Sequence, residues 1–136
     1  MLRKDEETTT KKTVVINGYP FLATIANTPQ EREQGLSGKD KLLQGEAMLF
    51  LFDDSKIRTF WMRDMKFDLD ILFIRSSTSL TTGDEILEIA TLKKPTDNKN
   101  IQSYTTKNKV DKVLEINAGM SEKLKIKVGD KIEIKD

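Results

Sequence analysis

Six side chains in this sequence have the type and spacing to do chemistry. Glu31 and Arg32 are adjacent. A guanidinium fork holds a carboxylate through two parallel hydrogen bonds, so Arg32 can lock an acid or line a pocket. Asp70 stands between Leu69 and Ile71 in an apolar segment. A lone charge in a core costs on the order of several kcal/mol, so it needs a partner. Arg32, Arg63 or backbone amides can supply one, which makes Asp70 a buried structural group on one reading and a catalytic acid on another. Trp61 is the only tryptophan and lies in Phe60-Trp61-Met62-Arg63. Alternation puts it on the opposite strand face from Phe60 and Met62, where an indole either fills a second core layer or forms a stacking platform for sugars and cations. Asp64, with Asp68 and Asp70, adds an acidic group of the kind that binds calcium or magnesium through oxygen. Its spacing is not that of an EF-hand loop, and no metal is expected.

Absent residue types narrow the chemistry further. The chain has no cysteine and no histidine. Disulfides, thiolate nucleophiles, the usual zinc sites and any Ser-His-Asp triad are therefore excluded. Lysines and arginines exceed acids by a formal charge of +1 and are spread along the chain, so nucleic acid is not an expected partner. No run reaches the ~18 apolar residues that span a bilayer as a helix.

Short elements must position these groups. Residues 14–16, Asn17-Gly18 and residues 19–26 read as a β-hairpin, with Pro20 pointing to an edge position. Thr28-Pro29-Gln30-Glu31 has the form of a capping box opening a short helix that Gly35 ends, which gives Glu31 a purely structural explanation. Residues 47–52 are continuously apolar and read as a strand buried on both faces, followed by a turn at 53–55. Strands are expected at 57–63, 69–74, 85–92, 113–116 and 131–134. Residues 93–109 read as a long surface loop. Lysines 123, 125 and 127 alternate with apolar residues as in a half-solvated strand, and Gly129-Asp130 marks a turn. Closely spaced strands with few helices predict a mostly β domain, its antiparallel strands curled into a barrel or sandwich with two or three short helices. One domain spans residues 13–136. Residues 1–12 are expected to be a disordered lead-in, or what remains where an export signal or anchor was trimmed.

Four segments together resemble one family. Glu31-Arg32, Gly35-Leu36 and Leu42 form the first, and Met48-Leu49-Phe50 with Phe52 the second. Phe60-Trp61-Met62-Arg63 with residues 69–74 is the third, and residues 113–119 with Val128-Gly129-Asp130 the fourth. Their order and spacing over about residues 13–134 are similar to domain of unknown function 192. The resemblance implies a compact β-rich domain and candidate residues, with no established reaction. Many relatives carry an export signal or membrane anchor, so the resemblance leaves an extracytoplasmic location open beside a cytoplasmic one. The chain departs from the pattern at Ala47, where Gly is usual, at Asp64-Met65 in place of Asn-Thr, and at Asp68 in place of proline.

The function expected from these residues is a non-catalytic ligand-binding module. Glu31, Arg32, Trp61, Arg63, Asp64 and Asp70 are its candidate polar cluster, and its expected partner is a small molecule, saccharide or peptide. No cofactor is expected, and the domain is expected to be a monomer. The alternative is a hydrolase in which a carboxylate pair, Asp64 or Asp70 with Glu31, serves as acid and base.

Overall fold

The computed structural model describes residues 10–80 and 82–136. Most of the 1–12 lead-in lies outside these residues, and the first strand already begins at Lys11. The strands are β1 (Lys11–Ile16), β2 (Tyr19–Ala26), β3 (Glu46–Lys56), β4 (Thr59–Trp61), β5 (Leu69–Arg75), β6 (Asp84–Leu92), β7 (Ser103–Thr105), β8 (Val110–Asn117) and β9 (Lys131–Lys135). Two short helices, α1 (Pro29–Gln34) and α2 (Met120–Lys123), complete the set. Seven strands close a barrel in the order β1-β2-β3-β8-β5-β6-β9, with β9 pairing β1, while β4 and β7 form a separate two-stranded sheet.

The hairpin forms where expected. Asn17 and Gly18 have φ of 51° and 80°, the left-handed pair that a tight two-residue turn requires. Pairing of β2 with β3 starts only at Leu22, which leaves Pro20 free of a ladder hydrogen bond on that side. That pairing is parallel, because α1 carries the chain across between the two strands. It is the one departure from antiparallel pairing among the described strands.

A single device explains the doubly apolar strands. Ala47, Leu49, Leu72, Ile74, Leu114 and Ile116 fill the barrel interior. The alternate residues Met48, Phe50, Ile71, Phe73 and Val113 belong to a second core on the outer wall. Leu36, Met62, Phe60 and Tyr104 from the covering segments pack onto that outer core. Each of these strands is thus sandwiched, so period-2 alternation disappears.

Three readings need correction. Residues 53–55 continue β3 instead of turning, and a register shift between Leu51 and Lys56 absorbs the irregularity. The 93–109 segment is not all loop. Its Ser103–Thr105 stretch pairs with β4 from Thr59↔Thr105 to Trp61↔Ser103. Residues 123–128 are not a strand, since Lys123 ends α2 and Lys125 turns the chain with φ of 57°. Met120 and Ile126 there join the barrel interior.

Candidate functional site

A groove of about 1070 Å³ runs over the outer wall between α1, the end of β3 and the segment through β4 to Met65. Arg32, Phe52, Trp61, Arg63, Asp64 and Glu115 are among its lining residues. Of the six sequence candidates, four therefore meet in one place.

Local packing sets each of them. Two cations approach the Phe52 ring, with the Arg58 guanidinium 3.7 Å and the Arg32 guanidinium 5.2 Å from its centroid. Arg32 Nη1 also donates to the Leu51 carbonyl at 2.9 Å. Arg58 donates to the Val110 carbonyl at 3.2 Å and to the Asp54 carboxylate at 3.0 Å. These contacts fix both guanidinium groups as part of the wall. Arg63, by contrast, is exposed and makes no hydrogen bond or ion pair with the described residues.

Trp61 is carried by β4, which is pinned to the barrel by an aromatic chain. Phe60 meets Phe50 edge-on at 5.3 Å and Phe73 at 5.7 Å, and Phe73 stacks on Tyr104 of β7 at 5.2 Å. With Phe60 turned inward, Trp61 must turn outward, and it is 58% exposed. Asp64 adopts φ of 61°, and its carbonyl accepts the Gly38 N–H at 3.0 Å. Asparagine and aspartate tolerate that conformation best among side-chain-bearing residues, so Asp64 keeps a turn that Asn would also make and adds a charge to the rim.

Glu115 was missed as a candidate. It sits in β8 directly opposite Met48 and Ile71 on the neighbouring strands, facing the outer core. It is 6% exposed and lines the groove. No hydrogen-bond or ion-pair partner for its carboxyl exists among the described residues. Burial alone pushes this carboxyl up to about 8. Glu88 shows the opposite outcome. Burial also pushes its carboxyl upward, but hydrogen bonds from Asn108, Tyr104 and Lys107 outweigh it and hold the group below its ordinary value. The signal for Glu115 was the one used for Asp70: an acid inside an otherwise apolar strand run.

Glu31 and Asp70 lie outside the groove lining. Glu31 completes the capping box, its carboxylate accepting the Asn27 and Thr28 N–H groups at 3.1 Å. Those backbone bonds, Asn27 first, lower its proton affinity. Asp70 is 2% exposed. Its Oδ1 accepts the Thr91 hydroxyl at 2.7 Å, and its Oδ2 accepts the amides of Gly119 and Ser121, each at 3.0 Å. Its partners are backbone amides and a hydroxyl, with no arginine. Asp68 accepts the Lys94 N–H at 2.8 Å, so Asp68 and Asp70 are engaged by different segments. Among the described residues no three Asp or Glu side chains converge as a metal site, and no helix is long and apolar enough to cross a membrane.

Two solved structures share this architecture. One, from Sinorhizobium meliloti 1021 and provisionally described as a transcription regulator, is 27% identical with a TM-score of 0.77, covering 93% of this chain and 95% of that one. The other, a protein of unknown function from Novosphingobium aromaticivorans DSM 12444, is 30% identical with a TM-score of 0.74, covering 92% of this chain and 84% of that one. None of the curated proteins is similar to the sequence. The DUF192 family, described as uncharacterized ACR, matches residues 12–134, and the chain belongs to it.

Proposed function

We propose that this domain is a non-catalytic binding module that seats a small molecule, a saccharide or a short peptide in the outer groove. The supporting observation is the combination of an exposed indole, a guanidinium and a buried carboxyl in one groove, the latter two without a hydrogen-bond or ion-pair partner among the described residues. Ligand sites combine apolar surface with a few convergent polar groups in this way. Trp61 offers a stacking face, Arg63 a bidentate donor, Arg32 a fixed polar wall and Asp64 an exposed carboxylate.

Titration against a glycan and metabolite library, read by ligand-detected NMR and by the fluorescence of the single tryptophan, tests this reading. Ligands should be found whose affinity falls at least tenfold in Trp61→Ala and Arg63→Ala. A library without binders, or binders indifferent to both substitutions, would overturn it. The hydrolase alternative finds less support in its first pairs, since Glu31 and Asp70 accept backbone amides and lie outside the groove lining. It would now require Glu115 as the acid, with Asp64 beside it in the lining. Turnover of a bound glycoside that is abolished by Glu115→Gln would establish it in place of the binding module.

A further inference from the structure

We propose that Glu115 reads the ligand as a neutral carboxylic acid, donating its O–H to an acceptor oxygen of a small organic carboxylate whose negative charge is paired by Arg63. This deepens, and rests on, the reading of the groove as a binding site.

The argument starts from the unmet hydrogen-bonding capacity of Glu115. Its carboxyl lines the groove, while strand neighbours Met48 and Ile71 flank it on the apolar wall. An ionised carboxylate in that place would need a cation or amide donors, and none reaches it among the described residues. The group therefore keeps its proton through neutral pH, in line with the upward shift that burial imposes. A protonated carboxyl carries one strong donor, no protein acceptor reaches it among the described residues, and a ligand that displaces water from the groove can supply one.

The other charges in the groove decide the ligand's sign. Arg32 and Glu33 face it from α1, Arg58 stands just before β4, and Arg63 and Asp64 follow β4. With Glu115 neutral and Arg58 paired with Asp54, two guanidinium groups, Arg32 and Arg63, face the Glu33 and Asp64 carboxylates. Arg32 and Arg58 are held by their own wall contacts, so Arg63 is left to pair an incoming charge. A guanidinium fork matches a carboxylate. The exposed indole beside it favours a ligand with a flat or ring-shaped body.

Two matched probe pairs test this in the full chain: D-glucuronate against glucosamine, and benzoate against benzamidine, each followed by tryptophan fluorescence at pH 6 and pH 9.5. At pH 6 at least one carboxylate should bind ten times or more tightly than its cationic counterpart. Binding should weaken at least tenfold at pH 9.5. Glu115→Gln, which keeps an N–H donor and cannot ionise, should retain binding and remove that pH dependence. Tighter binding of the cations, an unchanged pH dependence in Glu115→Gln, or no response to either carboxylate would overturn the proposal. If library ligands of other charge still depend on Trp61 and Arg63, the groove remains a binding site and only its ligand class is wrong. If no groove ligand of any kind exists, both readings fall together.

Discussion

The Oδ2 atom of Asp70 accepts the amide N–H of Ser121 at 3.0 Å across 51 residues of sequence. The same oxygen takes the Gly119 N–H, and Thr91 Oγ1 binds the other oxygen from β6. One carboxylate thereby ties β5, β6 and the entry to α2 together. Met120, from that helix, packs into the barrel interior. A short helix leaves most of its first amides unsatisfied, and Asp70 satisfies two in this region.

Asp70→Ala should therefore destabilise the fold by about 3 kcal/mol, because it strands two amides and a hydroxyl in a buried place. Asp70→Asn should cost less. Its carbonyl oxygen can keep the amide bonds, and the Thr91 hydroxyl can rotate to accept from its NH2 group. Urea unfolding of the two variants beside the parent chain measures both. An Ala variant within about 1 kcal/mol of the parent would remove this structural role for Asp70.

Ser121 offers a complementary test. Its side-chain Oγ is buried without a hydrogen-bond partner among the described residues. Ser121→Ala deletes that orphaned hydroxyl and leaves the amide on Asp70 intact. The variant should be at least as stable as the parent, by about 0–1 kcal/mol. A loss of more than about 1 kcal/mol on thermal unfolding would show that the hydroxyl finds a partner in solution.

Glu115 should give stability an unusual pH dependence. Its folded-state proton affinity is raised to about 8, whereas an unfolded chain titrates glutamate near about 4.3. Between these values the folded state holds the extra proton. The contribution is complete below about pH 4, declines by up to about 1.4 kcal/mol per pH unit, and is gone above about pH 8. Depressed carboxylates such as Glu88 act in the opposite direction, adding stability above their unfolded value and losing it on acidification. Urea midpoints from pH 5 to 8.5 should fall in the parent chain and be flatter in Glu115→Gln. Parallel profiles would place the Glu115 proton affinity in the ordinary carboxylate range.

Much of this fold was legible because its signals are local. Asn17-Gly18 dictates its own turn, and Thr28 through Glu31 carry every group of the capping box. The continuous apolar run at 47–52 correctly indicated a strand buried on both faces. What covers the second face is a non-local fact. Nothing near Tyr104 announces that Ser103–Thr105 will pair with β4, because the reward lies in Phe73 and Glu88, contributed by β5 and β6. The parallel β2–β3 contact escaped for a similar reason: a helix of six residues between strands gives little hint of a crossover. At the site, Arg32, Trp61, Arg63 and Asp64 were identifiable by type. Glu115 was hidden inside a run of core residues, where its charge read as part of a motif instead of an exception to it.

Neighbouring residues of β4 should respond in opposite ways to truncation. Phe60 makes edge contacts with Phe50 and Phe73 and packs on the outer core. Phe60→Ala removes a ring from that layer and should cost about 2–4 kcal/mol, somewhat below a fully buried phenylalanine because Phe60 is only half-buried. Trp61 points the other way and is 58% exposed, beside Ile57 at 48%. Its indole leaves little cavity when removed, so Trp61→Ala should change stability by less than about 1 kcal/mol. Guanidinium unfolding followed by circular dichroism compares the two without relying on the tryptophan signal. If Trp61→Ala proved as costly as Phe60→Ala, the indole would be part of the core in solution and the stacking platform would not exist. If only Phe60→Ala is costly, the large aromatic residue on the groove rim is not required by the fold, and its exposure is free to serve a ligand.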